Sequence, residues 1–385
     1  MHEKDEQGPA SERPASALEA FVAWPFAAAV QVAQAHLRLF ESLMPQATKA
    51  ALRDSSFGLS FPWTTTNKIA LELATMRLRD FSTGTDGPAT LICAPYALHG
   101  ATIADFAPGH SVVEALCQSG LSRLFVTDWR SATPKMRYFT IDNYLADLNV
   151  AVDELGPPVD LIGLCQGGWL ALVYAARFPK KVRRLVLVGA PIDMAAAESA
   201  LSRFVGGMPS TMFDEFVRSG KGIVHGEKML GMWGLSHGLD EAETSLQTPG
   251  GIDPERRREL SERFRQWHAE TVDLPGSFYL QVVNWLFKEN RIAKGTFIAL
   301  GQCIDLAKLE APIFLLAASH DEVVSRDQLF AVARLVGTPA DQLVKMTEPC
   351  GHLGLFLGAD VLGGSWRKIA YWLLQDLSEP QISNL

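Results

Sequence analysis

Short apolar runs recur along the chain from about residue 67, and amphipathic stretches separate them. Ile69, Leu71 and Leu73 alternate with polar residues as in a half-buried strand, and the apolar signal continues through Met76 and Leu78. The alternation of short apolar runs with amphipathic, helical stretches predicts βαβ units around a buried, mostly parallel sheet. The further runs that we interpret as strands lie at residues 89–94, 123–127, 159–164, 184–189, 312–318 and 342–346.

One interval breaks this rhythm. More than a hundred residues separate the runs at 184–189 and 312–318, whereas connections in α/β units usually have about 2–6. The interval also carries a Gly/Pro-bearing loop at 248–254, and its helical patterns lie at 199–205, 255–270 and 277–288. We therefore expect a helical cap, residues 194–300, inserted into a core of residues 67–193 and 301–385. Such a cap would lie above the carboxyl edge of the sheet, where open α/β folds bind ligands.

Residues 1–66 form a separate N-terminal region. Residues 1–14 are polar and contain proline, so we expect them to be disordered. Residues 15–45 predict a helical arm that kinks near Pro25, because proline lacks the amide donor and clashes with the preceding turn. The apolar surface of the arm either packs on its own domain or mediates an interaction. A homodimer is one assembly that the sequence leaves open.

Composition narrows the class of protein. The 385 residues are 48% apolar and 20% charged, a globular balance that excludes a disordered chain. The net charge of −8 indicates an acidic surface, which lacks the positive charge that binds the phosphates of nucleic acid. The chain start has no secretory pattern, and no apolar run reaches the roughly 18 residues of a transmembrane helix. We expect a cytoplasmic protein with no nucleic-acid partner and no transmembrane segment.

The strongest chemical signal is the sequence GLCQGG at residues 163–168, which follows an apolar run and precedes a helical pattern. It resembles the nucleophile elbow of α/β-hydrolases, with cysteine where serine is usual. Gly163 and Gly167 leave out the side chains that would collide at such a strained turn, and Gly168 lets the helix pack closely. The helix N-terminus favours the thiolate. We predict that Cys165 is a nucleophile.

A cysteine nucleophile needs a base, and the base needs an acid that orients it. In this fold the acid precedes the histidine along the chain. Asp321 follows the run at 312–318, and His352 lies in a glycine-flanked loop after the last strand candidate. Asp305 is a rival acid, but it precedes its strand and would lie at the wrong end of the sheet. We expect Cys165, His352 and Asp321 to converge.

Two backbone N–H groups are expected to stabilise the oxyanion. One belongs to Gln166, directly after the nucleophile, and the other to the loop PYALHG at 95–100, where we favour Ala97. His99 lies on the same loop and is the other histidine expected to reach the site.

The remaining cysteines are interpreted as small buried hydrophobes. Cys350 stands near His352, but no second ligand cluster with zinc-like spacing accompanies it, so we expect neither a metal nor a cofactor. These four cysteines are Cys93, Cys117, Cys303 and Cys350.

The chain resembles the superfamily of polyhydroxyalkanoate synthases and intracellular polyhydroxyalkanoate depolymerases over about residues 70–376. The resemblance depends on residues 163–168, on Asp321 and on the sequence GHLG at 351–354. It implies an α/β-hydrolase core with a Cys-Asp-His triad. The substrate that it implies is either a polyester granule or a 3-hydroxyacyl-CoA, and granule association is compatible with both.

The two branches of the superfamily imply different reactions. The segments at 163–168 and 351–354 are similar to the synthase pattern, whereas GAPID at 189–193 and DLPGSFYLQ at 273–281 look like the depolymerase branch. Our main expectation is depolymerase-like hydrolysis of poly(3-hydroxyalkanoate) through a cysteine acyl-enzyme. The alternative is a synthase that transfers 3-hydroxyacyl groups from CoA thioesters onto a growing polyester. Hydrolysis of small esters and non-catalytic granule binding are further hypotheses.

Overall fold

Eight strands form the central sheet of this computed structural model, which describes residues 61–233, 246 and 253–375. The predicted arm at 15–45, the polar tail at 1–14 and most of the loop at 248–254 lie outside the described residues. The strands are β1 Lys68–Glu72, β2 Met76–Asp80, β3 Thr90–Cys93, β4 Leu124–Trp129, β5 Val159–Leu164, β6 Val182–Val188, β7 Ile313–Ala318 and β8 Leu343–Glu348.

The order of strands in the sheet is β1-β2-β4-β3-β5-β6-β7-β8. Antiparallel pairing joins β1 to β2 and β2 to β4. All other neighbours pair in parallel. The predicted α/β class with a mostly parallel sheet is therefore confirmed, and the carboxyl ends of the six strands β3 to β8 lie along one edge.

The central strands are buried on both faces. Every residue of β3, β5 and β7 is buried, which explains why their sequences read as continuous apolar runs. The predicted half-buried strand at 69–73 is confirmed at Leu71 and Leu73, which are half-buried and pack against the core, whereas Ile69 is 46% exposed. β1 is the edge strand, and its register with β2 shifts between Ile69 and Leu71. A bulge of this kind interrupts the alternation of side chains.

Helices cover the sheet and fill the long interval between β6 and β7. In the first half of the core they are α1 Val112–Gln118, α2 Ile141–Leu155 and α3 Gln166–Arg177. In the interval they are α4 Ala200–Gly207, α5 Ser210–Ser219, α6 Gly226–Trp233, α7 Pro254–Ala269 and α8 Gly276–Gln281, which continues as a π-helix over Val282–Lys288. After β7 they are α9 Arg326–Phe330, α10 Val332–Leu335, α11 Gly354–Leu357, α12 Ala359–Val361, a π-helix over Leu362–Trp366, and α13 Arg367–Leu374.

Local sequence signals explain where several helices begin. The side chain of Asp253 accepts hydrogen bonds from two backbone N–H groups in the first turn of α7, and Pro254 occupies the first helical position. Proline is favoured there because its missing donor would have no helical partner.

The carboxyl end of α7 leads into residues 270–273, which contact the loops that follow β3 and β4. The interval therefore reaches the carboxyl edge of the sheet.

Candidate active site

Cys165 lies at the turn between β5 and α3. Its backbone has φ 48° and ψ −118°, a conformation that non-glycine residues adopt only under strain. The N–H of Cys165 donates to the carbonyl of Val188 over 2.9 Å, and the N–H of Gly168 donates to the carbonyl of Cys165 over 2.9 Å. One bond to the neighbouring strand β6 and one to the first turn of α3 thus fix the turn that presents the half-buried thiol.

Three glycines make this turn possible. A methyl group at Gly163 would lie 2.5 Å from the Cα of Gly168, and one at Gly168 would lie 2.3 Å from the Cβ of Ala190. At Gly167 it would lie 2.1 Å from the carbonyl oxygen of Cys93. The collisions therefore involve the end of β3 and the packing of α3, rather than the thiol itself.

Asp321 and His352 form a buried pair at the same edge of the sheet. The His352 Nδ1 and the Asp321 Oδ2 are 2.7 Å apart, and the side chains are 8% and 1% exposed. The other carboxylate oxygen of Asp321 accepts hydrogen bonds of 2.8 Å from the N–H groups of Val323 and Val324. The loop after β7 thus holds the carboxylate in one orientation toward the imidazole.

The His352 side chain also hydrogen-bonds to the side chain of Cys165. Because Nδ1 faces Asp321, the remaining Nε2 faces the thiol. Burial acts to lower the pKa of His352, but the charges of Asp321 and Cys165 and the hydrogen bonds to both raise that pKa well above its usual range. The structure therefore brings the three predicted residues together in one hydrogen-bonded row, with an imidazole that readily holds a proton.

Two neighbours of the imidazole were missed in the sequence. Gly189 has φ +55°, and a methyl group there would lie 3.2 Å from the Cε1 of His352. The ring of Phe356 meets the imidazole edge-on, with centroids 5.4 Å apart. The signal for Gly189 in the sequence is a glycine followed by Ala-Pro at the end of an apolar run, which is typical of a turn.

The two candidate oxyanion donors are free to bind a ligand. Neither the N–H of Gln166 nor that of Ala97 donates to another described residue. Gln166 opens α3, where the first N–H groups have no helical partner. The close approach of Gly167 to the carbonyl of Cys93 places the start of α3 against the end of β3, from which the loop bearing Ala97 continues.

Other candidates have different surroundings. His99 faces α7 rather than the triad, because its Nδ1 lies 3.1 Å from the carbonyl oxygen of Glu270 and its ring packs against that of Trp267 at a tilt of 39°, with centroids 4.3 Å apart. Asp305 caps the short helix Leu306–Lys308 that precedes β7. This position is at the opposite end of β7 from Asp321, as the sequence argument required.

The remaining cysteines differ in exposure. Cys93 is buried and Cys117 is half-buried, and burial raises the pKa of Cys117 to about 11. Cys350 is half-buried. The interpretation of Cys303 as buried was wrong, since it is exposed at the end of the hairpin formed by Ile298–Ala299 and Gln302–Cys303. Within the described ranges, no group of three or more His, Cys, Asp or Glu side chains could hold a metal ion.

Comparisons with known proteins agree with this architecture. The family model described as alpha/beta hydrolase fold matches residues 122–359. Two solved structures superpose with a TM-score of 0.50 at 14% identity. One is a candidate lipase from Acinetobacter baumannii, with 80% of this chain and 91% of that chain covered. The other is a candidate non-heme bromoperoxidase from Mycobacterium tuberculosis, with 80% and 100% covered. These likenesses show the fold alone.

Curated relatives include several poly(3-hydroxyalkanoate) polymerase subunits PhaC. The Synechocystis protein is 28% identical over 282 residues, which cover 70% of this chain and 73% of the relative. The Haloferax mediterranei protein is 25% identical over 292 residues, which cover 74% of this chain and 57% of the relative. The match therefore spans little more than half of the Haloferax protein. In the part of the chain that the structure describes, no helix is long and apolar enough to cross a membrane.

Proposed function

We propose that this chain, which belongs to the α/β-hydrolase fold family and is an enzyme related to polyhydroxyalkanoate synthases, transfers 3-hydroxyacyl groups from CoA thioesters onto a growing polyester. The observation that carries the proposal is a thiol, Cys165, at the nucleophile turn beside the paired imidazole of His352. The curated relatives bear the name of polymerase subunits. They support the synthase reaction, our alternative from sequence, over the hydrolytic reaction that we placed first.

The first step is acylation of the thiol. His352 takes the proton of Cys165 through Nε2, and the sulfur attacks the carbonyl carbon of the acyl-CoA thioester. As the new C–S bond forms, an electron pair moves onto the carbonyl oxygen, where the N–H groups of Gln166 and Ala97 stabilise it. The bond to the sulfur of CoA then breaks. CoA leaves as a thiol with the proton that His352 returns.

The second step transfers the acyl group to a hydroxyl. His352 takes the proton of a hydroxyl on another hydroxyacyl unit, whose oxygen attacks the enzyme thioester. The C–S bond breaks, an oxoester forms, and Cys165 regains the proton. Asp321 holds the imidazole in the tautomer that both steps need. Exchange between two thioesters is nearly thermoneutral, whereas formation of the oxoester is downhill, so this order of steps favours polymer.

Hydrolysis at the same site is the second candidate, because water could replace the hydroxyl. The depolymerase-like segments support it less than their sequences suggest. Asp193 accepts a 2.7 Å hydrogen bond from Asn290 Nδ2, and the main-chain N–H of Asp273 donates to the Ser131 hydroxyl over 2.9 Å. Both residues join the long interval to itself or to the core, which is a scaffold role that either reaction could use.

The test is to incubate the purified protein with 3-hydroxybutyryl-CoA and, separately, with amorphous poly(3-hydroxybutyrate) granules. Release of CoA together with turbidity is the expected result. Because the polymer is insoluble, the proposal also places the chain at granule surfaces in the cytoplasm. Soluble hydroxy acids released from granules would instead establish the depolymerase, and CoA release without turbidity would indicate a thioesterase. Binding to granules without either activity would leave only a granule-binding role.

A further inference from the structure

The loop after β3 and the segment after α7 run side by side. We call residues 96–99 the oxyanion loop and residues 270–273 the cap strap. The N–H of Val272 donates to the carbonyl of Leu98 over 3.0 Å. The hydroxyl of Tyr96 lies 3.1 Å from the carbonyl oxygens of both Asp273 and Arg130, and it can donate to either. Two residues of the oxyanion loop are thus tied to two consecutive residues of the cap strap.

His99 adds a third tie at the other end of the oxyanion loop. Its Nδ1 must carry the proton, because the partner at 3.1 Å is the carbonyl oxygen of Glu270. Glu270 follows the last residue of α7, where carbonyl groups lack helical partners. The imidazole therefore caps α7, and its ring packs at a tilt against that of Trp267, with centroids 4.3 Å apart. Burial lowers the pKa of His99 to about 4, so the ring stays neutral near pH 7.

Tyr96 is anchored on the core side as well. The hydroxyl of Tyr144, on α2, donates to the hydroxyl of Tyr96 over 2.9 Å. The ring of Phe278, on α8, lies 5.3 Å from that of Tyr96, and Tyr96 is 5% exposed. One buried side chain therefore connects the oxyanion loop with a core helix and with the cap strap.

Ala97 is the member of the oxyanion loop that these ties leave open. Its N–H has no partner among the described residues, while a side chain on either side of it is bonded. An oxyanion donor works only when it lies about 2.7–3.1 Å from the developing charge. We infer that the cap strap sets the position of the Ala97 N–H, and that Tyr96 and His99 are positioning residues. This inference rests on the role proposed above for Ala97.

The inference separates two kinds of reaction at Cys165. Acylation by an ester passes through an oxyanion, whereas alkylation by iodoacetamide does not. A shifted oxyanion loop should therefore slow acylation and leave alkylation unchanged. General damage to the fold or to the pair of Cys165 and His352 would slow both.

The test compares Tyr96→Phe and His99→Phe with the wild-type protein. Each variant keeps an aromatic ring at its position and loses a contact with the cap strap, and Tyr96→Phe also loses the contacts of the hydroxyl with Tyr144 and Arg130. We expect single-turnover acylation by p-nitrophenyl butyrate to slow about 10-fold, a fraction of the roughly 10²–10³ that loss of a whole donor costs. The matched control is Tyr174→Phe, which removes a buried hydroxyl bonded to Asn149 over 3.2 Å and should change neither rate.

Three outcomes would decide against the inference or separate it from the proposed function. Acylation at the wild-type rate in both variants would overturn it, and so would equal slowing of alkylation. If Tyr96→Phe does not fold, His99→Phe carries the same test. If the wild-type protein is acylated by the ester but makes no polymer from 3-hydroxybutyryl-CoA, the synthase proposal fails and the inference stands on the acylation data.

Discussion

The two ends of the central sheet each bury an ion pair, and the two pairs have different surroundings. At the carboxyl end, His352 and Asp321 are joined over 2.7 Å. At the amino end, Arg183 Nε donates to Asp160 Oδ1 over 2.9 Å, and the Asp160 side chain is fully buried. Only the carboxyl-end pair contacts a third, reactive group, the thiol of Cys165.

Beyond its own two side chains, the amino-end pair hydrogen-bonds to the backbone of α13. Arg183 also donates to the carbonyl of Leu373, and the neighbouring Arg184 donates to that of Trp372. Both carbonyls belong to α13, so the two arginines hold α13, the last helix in the described part of the chain, against the sheet. Burial raises the pKa of Asp160 to about 6 although Arg183 opposes the shift. A perturbed pKa in a buried ion pair is therefore weak evidence for catalysis unless a reactive group and open donors accompany it.

Removal of the thiol is the change with the largest expected effect. Cys165→Ala should lower kcat about 10⁴-fold or more, as loss of a triad nucleophile does, and leave substrate binding largely intact. Cys165→Ser should also lose most activity, because a hydroxyl depends more on its base than a thiol does. The control is Cys303→Ser at an exposed position. Near-full polymerisation by the serine variant would remove the chemical support for a thioester route.

Asp321→Asn should have the next largest effect. An amide in place of the carboxylate favours the wrong tautomer of His352, so kcat should fall by up to about 10⁴-fold. The measurement is kcat with 3-hydroxybutyryl-CoA, together with thermal unfolding to show that the variant is folded. Full activity of this variant would mean that the carboxyl-end pair is as purely structural as the amino-end pair.

The main parts of the carboxyl end were predictable because they follow from local order along the chain, whereas the sequence analysis did not predict the pair of Arg183 and Asp160 at the amino end. The apolar run at 159–164 coincides with β5, since a strand buried on both faces leaves a continuous apolar signal. The positions of Asp321 and His352 after strand candidates sufficed to predict that they meet Cys165. Parallel strands bring their carboxyl ends to one edge whatever separates them in sequence.

Other contacts were not predictable because no local pattern encodes them. The cap strap pairs with the oxyanion loop across more than 170 residues, as the bond from Tyr96 to Asp273 illustrates. The segment around Asp273 resembles one branch of the superfamily, but that resemblance does not indicate its contacts with Ser131 and Tyr96. The exposure of Ile69 and of Cys303 likewise depends on which neighbours cover an edge strand or a hairpin.

A smaller effect, on stability alone, is expected at the amino end. Arg183→Ala leaves Asp160 buried without its partner, which should lower the free energy of unfolding by about 3 kcal/mol. Denaturant titration measures this change, and kcat of the folded variant should equal that of the wild type. Arg326→Ala is the matched control, because its pair with Asp327 is about half exposed and is worth about 0–1 kcal/mol. A loss of activity without a loss of stability in Arg183→Ala would contradict the assignment of the amino-end pair to a purely structural role.

The smallest expected effect is on the pH dependence of Tm. An Asp-to-Asn substitution made separately in each pair should shift that dependence in a different pH range. The folded pKa of Asp160, about 6, lies above the ordinary 3.8, so its contribution to stability is complete below about pH 3.8 and is lost as pH rises through about 6. The Tm of the wild type relative to Asp160→Asn should fall between pH 4 and 6.

The raised pKa of His352 means that its contribution to stability is complete below about pH 6.5 and is lost as pH rises through the raised value. The Tm of the wild type relative to Asp321→Asn should therefore fall only above about pH 6.5, and a common pH window for both variants would contradict this assignment.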